Sequence, residues 1–250
     1  MTASIALPQP HNDWLAKLRT IALGLGGRGV MGLGLGRSAV SAAAVPWWLA
    51  GGVAAGNAVA VYQPKGAASL AASYVNLANP GTYDAAPGVA PTWASGTGWT
   101  FNGSSQYLTT GVLGTSAISL IIRFSDASGG LITFGAAIEI GGPAKYILWR
   151  PRSNGNDRVI FLGTGEVRVV GGALVSGAYG YAGTTVYYNS ISDGTLASPT
   201  LPSLAIFIGA LNFNGIPTQY GAIKVQAVAI YSATLTAPQV AAVSAAMAAL

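Results

Sequence analysis

The chain contains no cysteine and a single histidine, His11. No disulfide and no thiolate site is available to it. With one histidine near the start, Ser-His-Asp catalysis and multi-histidine metal centres lack their residues. Charge is scarce as well: Asp, Glu, Lys and Arg make up 8% of 250 residues, against about 25% in ordinary soluble domains. Such a surface is expected to be covered by other subunits or built from Ser, Thr, Asn and Gly. The net charge of +5 is uneven. In residues 1–65, Lys17, Arg19, Arg28, Arg37 and Lys65 stand against Asp13 alone, whereas seven basic residues meet six acidic ones in 66–250. The leader therefore suits either an acidic partner or plain solvation. The nearly neutral remainder has no basic stripe, which argues against nucleic acid.

What the chain has in excess is glycine, 35 residues, about twice the usual share of roughly 7%. Residues 23–36 repeat Leu-Gly-Leu-Gly. Each Gly disfavours helix by about 1 kcal/mol, so an irregular apolar arm is expected there. Gly24-Leu-Gly26-Gly-Arg-Gly29 matches a dinucleotide fingerprint only formally, because residues 38–56 hold no Asp or Glu to bind a ribose. Ahead of it, Asn12 or Asp13 caps a short expected helix with Trp14, Leu15, Leu18 and Ile21 on one face. No basic n-region with an apolar core and cleavage site opens the chain, so no signal peptide is expected. Ser38 to Pro64 carries no charge. Pro46, Gly51, Gly52, Gly56 and Asn57 argue against a membrane span there and for a linker, with Trp47 and Trp48 as anchors on the domain or a neighbour.

From Ala58 onward the pattern is of short strands. The stretch Trp99–Gly111 places Asn102-Gly103 between two β-prone runs, which predicts a hairpin. Ile118–Phe124, Leu131–Phe134, Ala137–Ile140 and Tyr146–Trp149 follow as strands. Arg150–Arg158 reads as a polar hairpin tip at Asn154-Gly155. Val159–Leu162, Val167–Val170, Ala178–Ala182, Thr185–Asn189, Leu204–Gly209 and Ala222–Tyr231 continue the series. Asn79-Pro-Gly81 and Ala86-Pro-Gly88 read as turns. Thr236-Ala-Pro-Gln239 is a capping box before a helix that repeats Val240, Val243, Met247 and Leu250 on one side.

Three stretches in this order carry a resemblance: Trp99-Thr-Phe-Asn-Gly-Ser-Ser-Gln-Tyr-Leu108, Ile118–Phe124, and Ala227-Val-Ala-Ile-Tyr-Ser-Ala-Thr-Leu-Thr-Ala-Pro-Gln-Val240. Residues 58–250 resemble the laminin-G-like branch of the concanavalin A-like lectin/glucanase superfamily. That resemblance implies an all-β fold, a two-sheet antiparallel jelly-roll sandwich with a short C-terminal helix and an extended N-terminal arm. Domains 1–57 (assembly arm) and 58–250 (sandwich) follow. Similar domains with similar leaders occur in phage virion proteins and surface adhesins. The expectation is therefore a non-enzymatic structural component of a virion, of the capsid-decoration or fibre type, on the particle's outer surface. Its arm (Trp14, Leu18, Ile21, Arg28, Arg37, Trp47, Trp48) would bind copies of itself and other subunits. The alternative is a free-standing or cell-surface carbohydrate-binding module.

No cofactor and no metal is expected. The superfamily's glucanase acid motif is absent, although Glu139 and Glu166 could meet across strands. Asn154, Asn156 and Asp157 offer calcium-type ligands, but Arg150, Arg152 and Arg158 would repel a cation. That tip suits an anionic glycan or an acidic neighbour instead. Sugar platforms pair an aromatic face with amides, so the candidate carbohydrate residues are Trp149, Arg150, Arg152, Asn154, Asn156, Tyr179, Asn212 and Asn214.

Overall fold

The computed structural model describes residues 44–115, 117–129, 133–139, 143–196 and 200–250. Two single 3-10 turns, Trp47–Leu49 and Ala55–Asn57, lead into β1 (Ala58–Tyr62). After α1 (Leu70–Ser73) come β2 (Ala86–Val89), β3 (Thr92–Ala94), β4 (Gly98–Asn102), β5 (Tyr107–Leu113) and β6 (Ser119–Ser128). Then follow β7 (Phe134–Ile138), β8 (Lys145–Ser153), β9 (Asp157–Gly163), β10 (Gly165–Val169), β11 (Gly177–Ala182) and β12 (Thr185–Tyr188). The chain ends with β13 (Ile191–Thr195), β14 (Ala205–Ile208), β15 (Leu211–Phe213), β16 (Ile216–Thr218), β17 (Ala222–Tyr231) and α2 (Ala237–Ala248).

Alternating side chains need two faces to cover, and two sheets supply them. The first sheet runs β13-β12-β11-β6-β17-β4-β3, with β1 also on β17. The second runs β10-β9-β8-β7-β14-β5-β2, with the β15–β16 hairpin joined through β7. Among the described strands, pairing is antiparallel except for β15 alongside β7. The main core lies between the sheets and includes Trp99, Phe101, Leu108, Phe124, Phe134, Trp149, Tyr179 and Tyr181. Each such side chain contributes on the order of 1.5–3 kcal/mol by leaving water.

A second core covers the outer face of the first sheet. Val240, Val243 and Met247 of α2 pack there on Val61, Ile121, Ala229 and Tyr231. The capping box closes as its sequence requires: Thr236 N–H donates to Gln239 Oε1 at 3.0 Å. Trp47, Trp48 and Val53 join the same cluster. Trp47 Nε1–H donates to Gln63 Oε1 at 2.8 Å, and the Tyr231 hydroxyl donates to the Trp48 carbonyl at 2.9 Å. Packing on the sandwich thus already begins before the expected boundary at 57/58. Trp14, Leu18, Ile21, Arg28 and Arg37 lie outside the described residues. Among the described residues no helix is long and apolar enough to cross a membrane.

The expected hairpin at Asn102-Gly103 is not one. Its flanks, β4 and β5, pair in different sheets. A type I′ hairpin turn, the kind Asn-Gly favours, needs positive φ at both central residues. Here Gly103 has φ +72° while Asn102 is not left-handed. The Asn102 Oδ1 instead accepts from the N–H groups of Ser104 and Ser105, at 2.9 and 3.0 Å. This side-chain turn carries the chain across the sandwich. Ala86-Pro-Gly88, expected as a turn, is part of β2, an edge strand where proline is tolerated. Of the two strands expected around 131–140, the structure has β7. Leu131, Ile132 and Ile140 lie outside the described residues.

Candidate functional site

Side chains alternate along β8. Ile147 and Trp149 enter the core between the sheets. Tyr146, Leu148 and Arg150 therefore face outward from the second sheet. Register sets their neighbours: Tyr146 opposite Ala137 and Gly163, Leu148 opposite Gly135 and Phe161, Arg150 opposite Val159. Small partners at Ala137, Gly135 and Gly163 leave room for the large rings to lie over the strands. Tyr146 and Phe161 have ring centroids 5.6 Å apart, and Phe213 packs on the same cluster with Leu148 and Leu211. Further along the sheet Tyr107 meets Phe207 at 5.0 Å and Tyr220 at 6.3 Å. The Tyr107 ring rests on the backbone of Gly88, where a Cβ would come within 1.9 Å of its Cζ.

Tyr146, Leu148, Arg150, Phe161 and Gln219 enclose a cleft of about 150 Å³. The Arg150 Nη2–H donates to Gln219 Oε1. Gln219 holds a left-handed backbone, φ +51°, a conformation that costs a non-glycine residue on the order of 1 kcal/mol. The Arg150 Nε is buried and has no hydrogen-bond partner. Burial first, and then the nearby Arg168 cation, lower the Arg150 pKa from its ordinary value. Arg168 itself is neutralised, with Nε 2.6 Å from Glu166 and Nη1 3.2 Å from Asp157. Among the described ion pairs none includes Arg150.

The sequence-derived candidates divide. Arg150 lines the cleft. Arg152 is half-buried beside the hairpin tip and donates to the Gly155 carbonyl at 3.1 Å. Asn154 and Asn156 are exposed there, with φ +51° at Asn154 and +81° at Gly155 turning the chain. Asn214 is exposed at the β15–β16 turn, and its Oδ1 accepts from Glu139 N–H at 3.1 Å. Trp149 and Tyr179 are corrected: both are buried between the sheets, stacked 4.5 Å apart, so neither offers a face to a ligand. Asn212 is also buried. It donates to the Ala205 carbonyl and accepts from Gly215 N–H, which locks a turn. Sequence reasoning missed Tyr146, Phe161, Phe213 and Gln219. The alternation of Tyr146, Leu148 and Arg150 was the available signal for the first; Gln219 carries none.

A different polar cluster ties the sheets together. Arg158 Nε–H donates to Asp193 Oδ2 at 2.7 Å, and Arg158 Nη2 contacts the other oxygen. The Tyr179 hydroxyl donates to the same carboxylate at 3.1 Å. Burial, and then the Asp193 charge, push the Tyr179 phenol well above its ordinary value. This tyrosine is held neutral, which suits a structural tie rather than a nucleophile. Glu139 and Glu166 do not meet: β8 and β9 separate β7 from β10, a gap on the order of 14 Å. Asp157 is engaged by Arg168 and by Gly171 N–H. Among the described residues there is no group of three His, Cys, Asp or Glu side chains placed to hold a metal.

No protein-family profile matches the chain, and no curated protein does. Solved structures do. Trypanosoma rangeli sialidase in complex with 2,3-difluorosialic acid aligns at 15% identity and a TM-score of 0.52, over 75% of this chain and 32% of that one. A mutant of the same sialidase displaying trans-sialidase activity aligns at 16% identity and a TM-score of 0.52, over 76% and 33%. The chain thus spans about a third of the length of these sialidases. At such identity the likeness establishes the fold, an antiparallel β-sandwich. It also corrects the expectation of a non-enzymatic virion component. These two solved structures are sialidases, and capsid, fibre and phage roles draw no support from them.

Proposed function

We propose that this sandwich is a carbohydrate-binding domain, laminin-G-like in type, working at a cell surface or outside the cell. The outer face of its second sheet is the binding platform. One observation carries the reading: the cleft combines two half-exposed aromatic rings, Tyr146 and Phe161, with the amide of Gln219 and the guanidinium of Arg150. A sugar ring has an apolar face and hydroxyl edges, and this lining offers a partner to each. Arg152, Asn154, Asn156 and Asn214 would contact residues of a longer glycan at the rim.

Binding without cleavage fits the acids. A glycosidase of the usual kind needs two carboxylates about 5–10 Å apart across the bond. Glu166 and Asp157 are both committed to Arg168, and Glu139 lies strands away. The test is a glycan array followed by calorimetry on the full chain. Phe161→Ala is expected to weaken binding about tenfold, the equivalent of roughly 1.4 kcal/mol, with the chain still melting cooperatively. Absence of glycan binding, or affinity indifferent to both Phe161→Ala and Tyr146→Ala, would refute the reading.

A further inference from the structure

We infer that Arg150 anchors an acidic substituent, so that the preferred ligand is an anionic rather than a neutral glycan. This rests on the carbohydrate-binding reading above. Arg150 is half-buried and lines the cleft. Other arginines among the described residues vary: half-buried Arg123 and Arg152 meet neutral acceptors, Gln226 Oε1 and the Gly155 carbonyl, whereas half-buried Arg158 and exposed Arg168 meet carboxylates. Arg158 has Asp193, and Arg168 has both Glu166 and Asp157. Arg150 has only a neutral amide, Gln219, and its buried Nε–H is left without an acceptor.

The missing acceptor has a defined geometry. A guanidinium edge presents parallel donors that match a planar carboxylate or two oxygens of a sulfate. Arg150 lines the cleft together with Tyr146 and Phe161. Gln219 adopts its strained left-handed backbone at this spot, and strain of that kind clusters at ligand clamps. The nearby Arg168 cation adds positive charge at Arg150, offset in part by Glu166.

A uronate carboxylate and a sulfate ester share this chemistry, so the experiment separates them. The full chain is titrated with three oligosaccharides of one backbone: neutral, carboxylated and sulfated. The wild type is expected to prefer at least one acidic form by about tenfold to a hundredfold, the range of a charge-assisted hydrogen bond. Arg150→Gln should bring the acidic and neutral affinities within about twofold of each other, the acidic one falling much further. Arg150→Lys, which keeps the charge but loses the fork, should lose about tenfold of the preference; it decides the matter if Arg150→Gln fails to melt cooperatively. Equal affinity of the wild type for neutral and acidic forms overturns the inference and leaves carbohydrate binding standing. A preference that survives both variants overturns the role of Arg150. Binding to none of the three overturns both readings.

Discussion

Raising the pH should unfold this sandwich abruptly, because it encloses tyrosines that cannot ionise in place. Tyr62, Tyr179, Tyr181 and Tyr231 all have phenols pushed above the ordinary value by burial, helped at Tyr62 by Asp84 and at Tyr179 by Asp193. Three of them donate their proton to an acceptor, namely the Tyr83 carbonyl, the Asp193 carboxylate and the Trp48 carbonyl. In the unfolded chain these phenols release their protons near pH 10. The unfolded state then binds fewer protons than the native one, so stability is complete below about pH 10 and falls above it. Each tyrosine contributes about 1.4 kcal/mol per pH unit. Four acting together lower stability by about 5 kcal/mol per unit. A typical stability of 5–15 kcal/mol is exhausted within about one to three units, which predicts unfolding between about pH 11 and 13. Phenolate absorbance and near-ultraviolet circular dichroism, recorded together, should show the late phenolate signal appear with loss of native structure. Tyr181→Phe should reduce the slope to about 4 kcal/mol per unit. It should also raise stability at neutral pH by about 1 kcal/mol, since the Tyr181 hydroxyl is buried without a partner. A smooth titration of all tyrosines near pH 10 with the dichroism intact would refute the reasoning.

Two substitutions test the fold elsewhere. Asp193→Asn removes the charge that faces Arg158 and leaves one oxygen where Arg158 and Tyr179 now share two; it should cost about 3 kcal/mol by urea denaturation at pH 7, and adding Arg158→Met should recover much of that loss. Gly98 has φ +83°, and a Cβ there would lie 2.2 Å from the Val225 carbonyl oxygen across the β4–β17 pair. Gly98→Ala should therefore cost at least about 3 kcal/mol. Gly52→Ala, with φ +75° but open space around it, should cost only about 1 kcal/mol, so the difference in thermal midpoint isolates the collision from the backbone strain.

The parts of this fold that could be read from sequence are those decided locally. The α2 cap is a four-residue chemical contact, and the Val240, Val243, Met247 face follows from helix geometry alone. The apolar alternation of β17 likewise marked a strand buried on at least one face, and it pairs β6, β4 and β1. Partner choice was not local. Asn102-Gly103 has hairpin composition, yet Phe101 and Leu108 enter one core from opposite sheets. Nothing within the turn encodes which sheet each flank will join. Trp47 and Trp48 were equally undecided by sequence, because the surface they cover is assembled from β17 and α2 at the other end of the chain.

The candidate site turned on a constraint that the sequence did contain. Trp149 and Arg150 are neighbours in a strand, so they face opposite sides of the sheet and cannot share a platform. Which one goes inward is decided by the cost of placing an unpaired guanidinium between two sheets, which exceeds the loss from exposing a tryptophan. Arg158 is the exception that fixes the rule. It shares the inward side of β9 with Ile160, and it can do so only because Asp193 reaches it from the first sheet. An arginine that points inward brings its carboxylate with it. Arg150 points outward, half-buried, with no carboxylate among its described partners. The same desolvation argument that makes Arg158 a structural tie therefore makes Arg150 receptive, and an anion arriving from solution is the partner that its position leaves unfilled.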